Sequence, residues 1–179
     1  SALTTSQINA LSEQQIAALS SSQLGSLVTT QVGVLSSTAV GALTSTQISG
    51  LSTTQMVALN ATQVSALGAD QFASLSTTQL RSLTGASLSS LTGDQIAAIT
   101  TTQLSSFTTV QLRALSADQI TAMTDTQIGT LSATQMASLS ATGISGLEAR
   151  DITYLTTSQL AALTATQIGG LGETQLAAL

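Results

Sequence analysis

The sequence predicts an all-α fold, a solenoid of short capped helices with one helix in every octapeptide repeat. Three observations predict it. A Leu, Ile, Met or Phe recurs at every eighth position from Leu3 to Leu179, and a second apolar series runs from Ile8 to Leu176. Gln precedes the second series in 18 of 22 repeats. We number these repeats as octads 1 to 22, starting at Thr4, and write their consensus as [ST]-x-x-Q-φ-x-small-L.

The first half of each octad is typical of a helix N-terminus. Ser or Thr occupies position one in 17 of 22 octads, and Gln follows at position four. This spacing is that of a capping box, in which the hydroxyl accepts from the third helical N–H and the Gln side chain bonds the cap backbone. Apolar residues on either side, such as Leu3 and Ile8 around Thr4 and Gln7, have the spacing of a hydrophobic staple.

The charged residues agree with this assignment of helix ends. Acidic side chains stabilise the first turn of a helix and basic ones the last turn. Seven of the eight acids lie at positions two to four, and Arg81 and Arg113 lie at position six. The seven acids are Glu13, Asp125 and Glu173 at position two, Asp70, Asp94 and Asp118 at position three, and Asp151 at position four.

A single long helix or a coiled coil does not fit this period. One octad turns an α-helix by about 800°, so an apolar stripe would drift by about 80° in each octad. We therefore expect the helix to restart in every octad. Helices this short are marginal alone and need stacking on neighbouring repeats, as in a solenoid. Asp70, Asp94 and Asp118 recur in every third octad and favour three octads per coil, with two octads per coil as the alternative.

A β-solenoid is the alternative fold, because Thr, Ile and Val favour strands and stacked Gln can form ladders. Positions five and eight have opposite parity, however, and would face opposite sides of a strand. Ala, Leu and Gln also favour helix. In either fold, we interpret residues 1–179 as one continuous octapeptide-repeat solenoid, and as an excerpt of a longer chain or a filament subunit.

The composition argues against an enzyme and against a cofactor or metal site. The chain has no His, Cys or Lys, which removes the usual general bases, thiol nucleophiles and soft metal ligands. A column of Asp70, Asp94 and Asp118 would offer oxygen ligands to a cation, but we interpret these residues as first-turn acids. The net charge of −5 argues against nucleic-acid binding, and no apolar run has the length of a membrane span.

Octads 18 and 19 depart most from the consensus and form the candidate contact or bend region. Gly143 and Asp151 replace Gln there, whereas the other two exceptions, Ala39 and Ser87, are isolated. The same stretch contains Glu148, Arg150 and Tyr154, which is the single Tyr of the chain. Tyr154 replaces a small residue at position seven, so it should protrude or spread the neighbouring coils.

The run Leu155-Thr156-Thr157-Ser158-Gln159-Leu160, with its continuation to Ile168, resembles octapeptide-repeat tracts of very large secreted bacterial exoproteins of the adhesin and haemagglutinin type. This resemblance covers the whole chain and implies a location outside the cell or at its surface. It also implies a stalk or filament role, and it transfers no functional residue.

Two hypotheses for function follow. The first is a structural rod, stalk or filament segment that spaces or displays adhesive parts and associates end to end or with flanking repeats. The second is a binding module whose Ser, Thr and Gln faces contact carbohydrate, another surface or ice.

Overall fold

Residues 3–179 are described by a computed structural model, and they form 22 short α-helices and no strand. The octad period therefore specifies helices, and the β-solenoid alternative is wrong for these residues. The helices are α1 (Thr5–Asn9), α2 (Glu13–Ala17), α3 (Ser21–Gly25), α4 (Thr29–Gly33), α5 (Ser37–Gly41), α6 (Ser45–Ser49), α7 (Thr53–Ala58), α8 (Ala61–Ser65), α9 (Ala69–Ala73), α10 (Thr77–Ser82), α11 (Gly85–Ser89), α12 (Gly93–Ala98), α13 (Thr101–Ser105), α14 (Thr109–Arg113), α15 (Ala117–Thr121), α16 (Asp125–Thr130), α17 (Ala133–Ser138), α18 (Ala141–Ile144), α19 (Ala149–Tyr154), α20 (Thr157–Ala161), α21 (Ala165–Ile168) and α22 (Glu173–Leu176).

The chain divides between Ser90 and Leu91 into two compact units. The first unit contains α1 to α11, and the second contains α12 to α22. Within each unit a helix packs against the helix three octads later, as α4 does against α7 and α16 against α19. Each coil of the solenoid therefore contains three octads. The spacing of the aspartates indicated this number, and the two-octad alternative is wrong.

The helix N-termini are capped as the sequence predicts. In octad 1 the Thr4 hydroxyl accepts from the Gln7 N–H at 3.2 Å, and Gln7 Oε1 accepts from the Thr4 N–H at 2.8 Å. The same reciprocal pair recurs in most octads, up to Thr164 and Gln167. Where Val28 or Gly68 stands at position one, no side-chain acceptor exists. Those octads keep only one of the two capping-box hydrogen bonds, in which the Gln Oε1 accepts from the position-one N–H.

The helices end without a left-handed residue, so no position of the octad requires glycine. The position-eight N–H bonds the position-five carbonyl, as in Leu11 to Ile8 at 3.2 Å, which is a 3₁₀-type closure. Where position eight is itself the C-cap, it has extended dihedrals, as at Leu59 with φ −71° and ψ 126°. Residues 3–179 contain no positive φ. The chain leaves each helix through an extended apolar residue and not through a left-handed turn.

The two apolar series form the core of each unit. Position-five residues from Ile8 to Ile152 are no more than 2% exposed. Position-eight residues from Leu35 to Leu171 are no more than 8% exposed. Burial of one such side chain contributes about 1.5–3 kcal/mol, which compensates for the marginal stability of such short helices.

Small residues at position seven lie close to the backbone of the coil before. A Cβ added to Gly146 would overlap the carbonyl group of Ala117, one coil earlier. Where position seven is Ser, its hydroxyl can donate to the equivalent carbonyl, as in Ser90 to Ala61 at 2.9 Å. Small residues at position seven therefore permit close stacking, because a larger inward side chain would displace backbone atoms.

Candidate functional site: the glutamine series and octads 18 and 19

The glutamine side chains of position four form the most regular polar feature of the structure. Gln63 is 1% exposed, and its two terminal atoms bond to different coils. Its Oε1 accepts from the Asn60 N–H at 2.8 Å, within its own octad. Its Nε2 donates to the carbonyl oxygens of Leu35 at 2.7 Å and Val32 at 3.2 Å, in the coil before. One side chain therefore caps one helix and bonds a second.

This second bond follows a fixed register. From Gln47 onward, the buried Nε2 groups donate to carbonyls at the end of the octad four repeats earlier, which directly precedes the helix that they pack against. Gln63 donates to three of these carbonyls, at sequence separations of 28, 30 and 31. The amide supplies the donor for position-eight carbonyls such as that of Leu35, which would otherwise be buried unpaired. It adds a second donor to position-five carbonyls such as that of Val32, which already accept from the position-eight N–H. The pattern is made by Gln47, Gln55, Gln63, Gln71 and Gln79 in the first unit and by Gln127, Gln135, Gln159, Gln167 and Gln175 in the second.

The bond between coils was not predicted from the sequence, although the sequence contains a signal for it. A capping box accepts Glu as readily as Gln. Glu never occurs at position four of this chain, although Gln occurs there 18 times. The exclusion of Glu indicates that the NH₂ group of the side chain is needed, because the carboxylate of Glu can accept but not donate hydrogen bonds.

Gly143 and Gly146 of octad 18 lie directly against the coil before. A Cβ on Gly143 would be 3.0 Å from the carbonyl oxygen of Leu115. The Thr121 hydroxyl donates to the carbonyl of Gly146 at 2.8 Å. Octad 18 thus replaces the Gln amide with close backbone packing, and the role of Gly143 is to permit that approach.

Octad 19 contains the ionic cluster of the candidate region. Arg150 Nε lies 3.0 Å from Glu148 Oε2, 3.6 Å from Asp125 Oδ1 and 3.8 Å from Asp151 Oδ1. Three of the five residues predicted for this region, Glu148, Arg150 and Asp151, therefore come together. Asp125 was not predicted with them. It belongs to α16, one coil earlier, and α16 packs against the helix that contains Arg150.

Asp151 keeps one of the two functions of the Gln that it replaces. Its Oδ2 accepts from the Glu148 N–H at 2.7 Å, as a Gln Oε1 does elsewhere. Its side chain is 3% exposed, and its Oδ1 has no hydrogen-bond donor within residues 3–179. Burial raises the pKa of Asp151 above its ordinary value, and the charges of Asp125 and Glu148 add to this effect. The Glu148 backbone bond and the charge of Arg150 oppose it.

Tyr154 lies at the surface, outside the ionic cluster. It is 59% exposed, so this large residue at position seven protrudes from the stack, as the sequence analysis expected of it. It offers an exposed phenol on the same helix as Arg150 and Asp151.

The three aspartates at position three are not clustered within residues 3–179. Asp70, Asp94 and Asp118 each lie in the first turn of their own helix. Within residues 3–179, no group of three or more His, Cys, Asp or Glu side chains is placed to hold a metal ion. None of the helices in this range has the length and apolar character needed to cross a membrane.

The fold and the glutamine series define a repeat protein of the all-α solenoid class. A family model described as ALTTAQ repeat matches residues 1–29 and 144–179, which together make up about a third of the chain. Both ends of the chain are thus similar to that repeat, and the second match includes Glu148, Arg150 and Asp151 of the ionic cluster but not Asp125. No curated protein matches the chain significantly.

Proposed function

We propose that this chain is a structural segment that spaces or displays other parts of a secreted bacterial surface protein. The observation that supports the proposal is that most Gln and position-one Ser or Thr side chains bond the backbone. The buried amides of the glutamine series are occupied at both ends by backbone groups, as in Gln63. Most position-one hydroxyls are occupied as caps. In a binding or catalytic protein, polar side chains of this kind face a ligand. In this chain, the buried Gln amides and the capping hydroxyls bond the backbone of the helices.

The absence of His, Cys and Lys from the sequence supports a non-enzymatic role. The location outside the cell rests on the resemblance to octapeptide-repeat exoproteins. A low charge content and few Lys or Arg side chains would suit a segment exposed to extracellular proteases that cleave at basic residues.

Deleting whole coils tests the proposal. The chain is displayed on a bacterial surface between an outer-membrane anchor and a terminal epitope. Three variants each lose one coil of three octads in register, spanning positions 28–51, 116–139 or 140–163. For a spacer, antibody access to the epitope falls by a similar amount in all three variants. A loss confined to the 140–163 deletion, which removes most of the ionic cluster, would contradict the spacer role and favour a local binding site.

The second candidate is a carbohydrate-binding module, and one surface feature favours it. A shallow depression of about 390 Å³ is lined by Thr5, Ser6, Asn9 and Val34. It combines hydroxyl and amide groups, which can form hydrogen bonds with sugar hydroxyls, with an apolar side chain. Glycan-array binding by the parent chain that is lost in Asn9→Ala and retained in Val57→Ala, a surface control, would support this candidate. Absence of glycan binding by the parent chain would reject it.

A further inference from the structure

Two carboxylate oxygens of the ionic cluster are buried and have no hydrogen bond. Within residues 3–179, the buried side-chain atoms that lack a hydrogen-bond partner are Oδ1 of Asp125 and Oδ1 of Asp151. Asp125 belongs to α16 and Asp151 to α19, and these helices pack against each other in successive coils. α16 also packs against α13 and α19 against α22, so further coils cover the contact on both sides. Buried polar atoms are nearly always paired, so two unpaired oxygens at one contact need a physical explanation.

The two oxygens lie next to the same atom. Arg150 Nε is 3.6 Å from Asp125 Oδ1 and 3.8 Å from Asp151 Oδ1, and both distances exceed the length of a hydrogen bond. The Nε–H group has a single proton, and Glu148 Oε2 is the nearest of the three carboxylate oxygens at 3.0 Å. Arg150 therefore places a positive charge near both aspartates but leaves their Oδ1 atoms without a donor.

Octad 19 is also the octad in which position four holds a carboxyl group. A Gln at this position accepts from the cap N–H through Oε1 and donates to the coil before through Nε2, as Gln63 does. Asp151 Oδ2 makes the first of these bonds, with the Glu148 N–H at 2.7 Å, so Oδ1 is the counterpart of the Gln donor. An ionised carboxylate cannot donate, whereas the O–H of a carboxylic acid can. A proton on Oδ1 would therefore restore the donor that a Gln has elsewhere.

We propose that Asp151 is a proton-binding site, and that its protonated Oδ1 donates a hydrogen bond to Oδ1 of Asp125 across the contact between α16 and α19. One proton, taken from water on acidification, then satisfies both unpaired oxygens. When the proton returns to water, two carboxylates with like charge lie at the contact without a donor. The contact is tight when the site is occupied and loosens when it is empty. This inference goes beyond the spacer role and does not depend on it.

The groups around the site determine when the proton is held. The titratable and charged groups of the packed elements are Glu148, Arg150 and Tyr154 on or next to α19, Asp125 in the coil before, and Glu173 in the coil after. Burial raises the pKa of Asp151, and the charges of Asp125 and Glu148 act in the same direction. The Glu148 backbone bond and the charge of Arg150 oppose them. The folded site therefore holds its proton at a pH at which an unfolded aspartate has lost it, and the contact weakens as the pH rises through the raised pKa.

Carbon-13 NMR of the aspartate carboxyl groups tests the proposal on the full chain. We expect the Asp151 carboxyl to titrate above the ordinary range of an aspartate, and the Asp125 carboxyl resonance to shift in the same step. Hydrogen exchange over the same pH range reports on the contact. After correction for intrinsic exchange rates, amide protection in α16 and α19 should fall by about tenfold as Asp151 ionises, which is the effect of losing one buried hydrogen bond.

Asparagine variants identify the donor and the acceptor. Asp151→Asn mimics the protonated acid, because its NH₂ group can donate while its oxygen accepts from the Glu148 N–H. Protection in α16 and α19 should then stay high at every pH. Asp125→Asn removes one charge and offers a donor to ionised Asp151, so Asp151 should titrate at a lower pH than in the parent. Asp118→Asn changes an exposed first-turn acid of α15 and is the matched control, which should behave like the parent.

An Asp151 carboxyl that titrates within the ordinary range of an aspartate would overturn the proposal. A raised titration that Asp125→Asn leaves unchanged would also overturn it, because Asp125 would then not be the acceptor. The titration of the parent chain needs no substitution, so it decides the first point even where a variant folds poorly. The coil deletions test the spacer role separately, and their outcome does not depend on this proton.

Discussion

Replacing Gln63 with Glu isolates the hydrogen bonds that join one coil to the next. The substitution keeps the shape of the side chain and an oxygen that accepts from the Asn60 N–H, 2.8 Å away in the parent. It removes the NH₂ group that donates to Leu35 and Val32. At neutral pH it also places a carboxylate next to those two carbonyl oxygens at a site that is 1% exposed in the parent.

The expected loss of stability is large. The Leu35 carbonyl is left without a donor, which costs about 1–3 kcal/mol, and an unpaired buried charge adds to this cost. The Val32 carbonyl keeps the Leu35 N–H as its donor. We therefore expect Gln63→Glu to lower the free energy of unfolding by about 3–5 kcal/mol at pH 7, a sizeable part of the roughly 5–15 kcal/mol typical of a domain. The measurement is urea unfolding followed by far-UV circular dichroism.

The same substitution at Gln15 is the matched control. Gln15 Oε1 accepts from the Ser12 N–H at 2.8 Å, but the side chain is exposed in the first coil. Glu satisfies this capping box and suits the first turn of a helix, so the unfolding free energy should change by less than about 0.5 kcal/mol. Equal effects at the two sites would refute the role assigned to the Nε2 bonds.

The pH dependence of Gln63→Glu provides a second check. Burial favours the neutral acid, so the folded-state pKa of the new Glu should be raised. A group of this kind destabilises the fold above its unfolded pKa, and the penalty disappears below that pKa. The difference in unfolding free energy between variant and parent should therefore shrink as the pH falls. A difference that is constant with pH would show that the carboxylate is not buried against the carbonyls.

Three further outcomes are expected. Asp151→Gln should raise the unfolding free energy by about 1–3 kcal/mol at pH 7, since it supplies the missing donor of octad 19. Because burial raises the pKa of Asp151, the parent should lose stability as the pH rises from the ordinary range of a carboxyl group through this raised pKa. Denaturant titrations across the acid to neutral range should show a smaller loss in the Gln variant, and identical profiles would contradict this cause. Gly146→Ala should lower the thermal unfolding midpoint, because the added Cβ would overlap the backbone of Ala117, whereas Gly129→Ala should raise it, because its Cβ would meet nothing within 4 Å. Tyr154→Ala should change the unfolding free energy by less than about 0.5 kcal/mol, since the ring is largely exposed, and a larger loss in urea titration would show that the ring packs on the stack.

The local structure could be predicted from the sequence because each octad contains its own helix signals. Ser or Thr at position one, Gln at position four and the two apolar positions determine where the helix of every octad begins and ends. These signals act within a single octad, so no tertiary information is needed to interpret them. The number of octads per coil had weaker support, from the recurrence of Asp70, Asp94 and Asp118 in every third octad.

The contacts between coils could not be predicted in the same way. The Nε2 bonds of Gln63 and the approach of Asp125 to Arg150 join residues that belong to different coils. Which residues of two coils face each other can be predicted only when the number of octads per coil is known. The absence of Glu at position four was the single sequence signal for the first of these contacts, and it is easily mistaken for an ordinary capping preference.

The direction of the glutamine bonds has a consequence for how the chain folds as it is made. The buried amides donate toward the N-terminus, as Gln55 does to Leu24 and Leu27, so an octad that has just emerged from the ribosome finds its acceptors already synthesised. The carbonyls of an octad receive their amide from the octad four repeats later, as Leu27 does from Gln55, 28 residues further along the chain. Folding can follow synthesis octad by octad, and short sequence separations of this kind favour rapid formation.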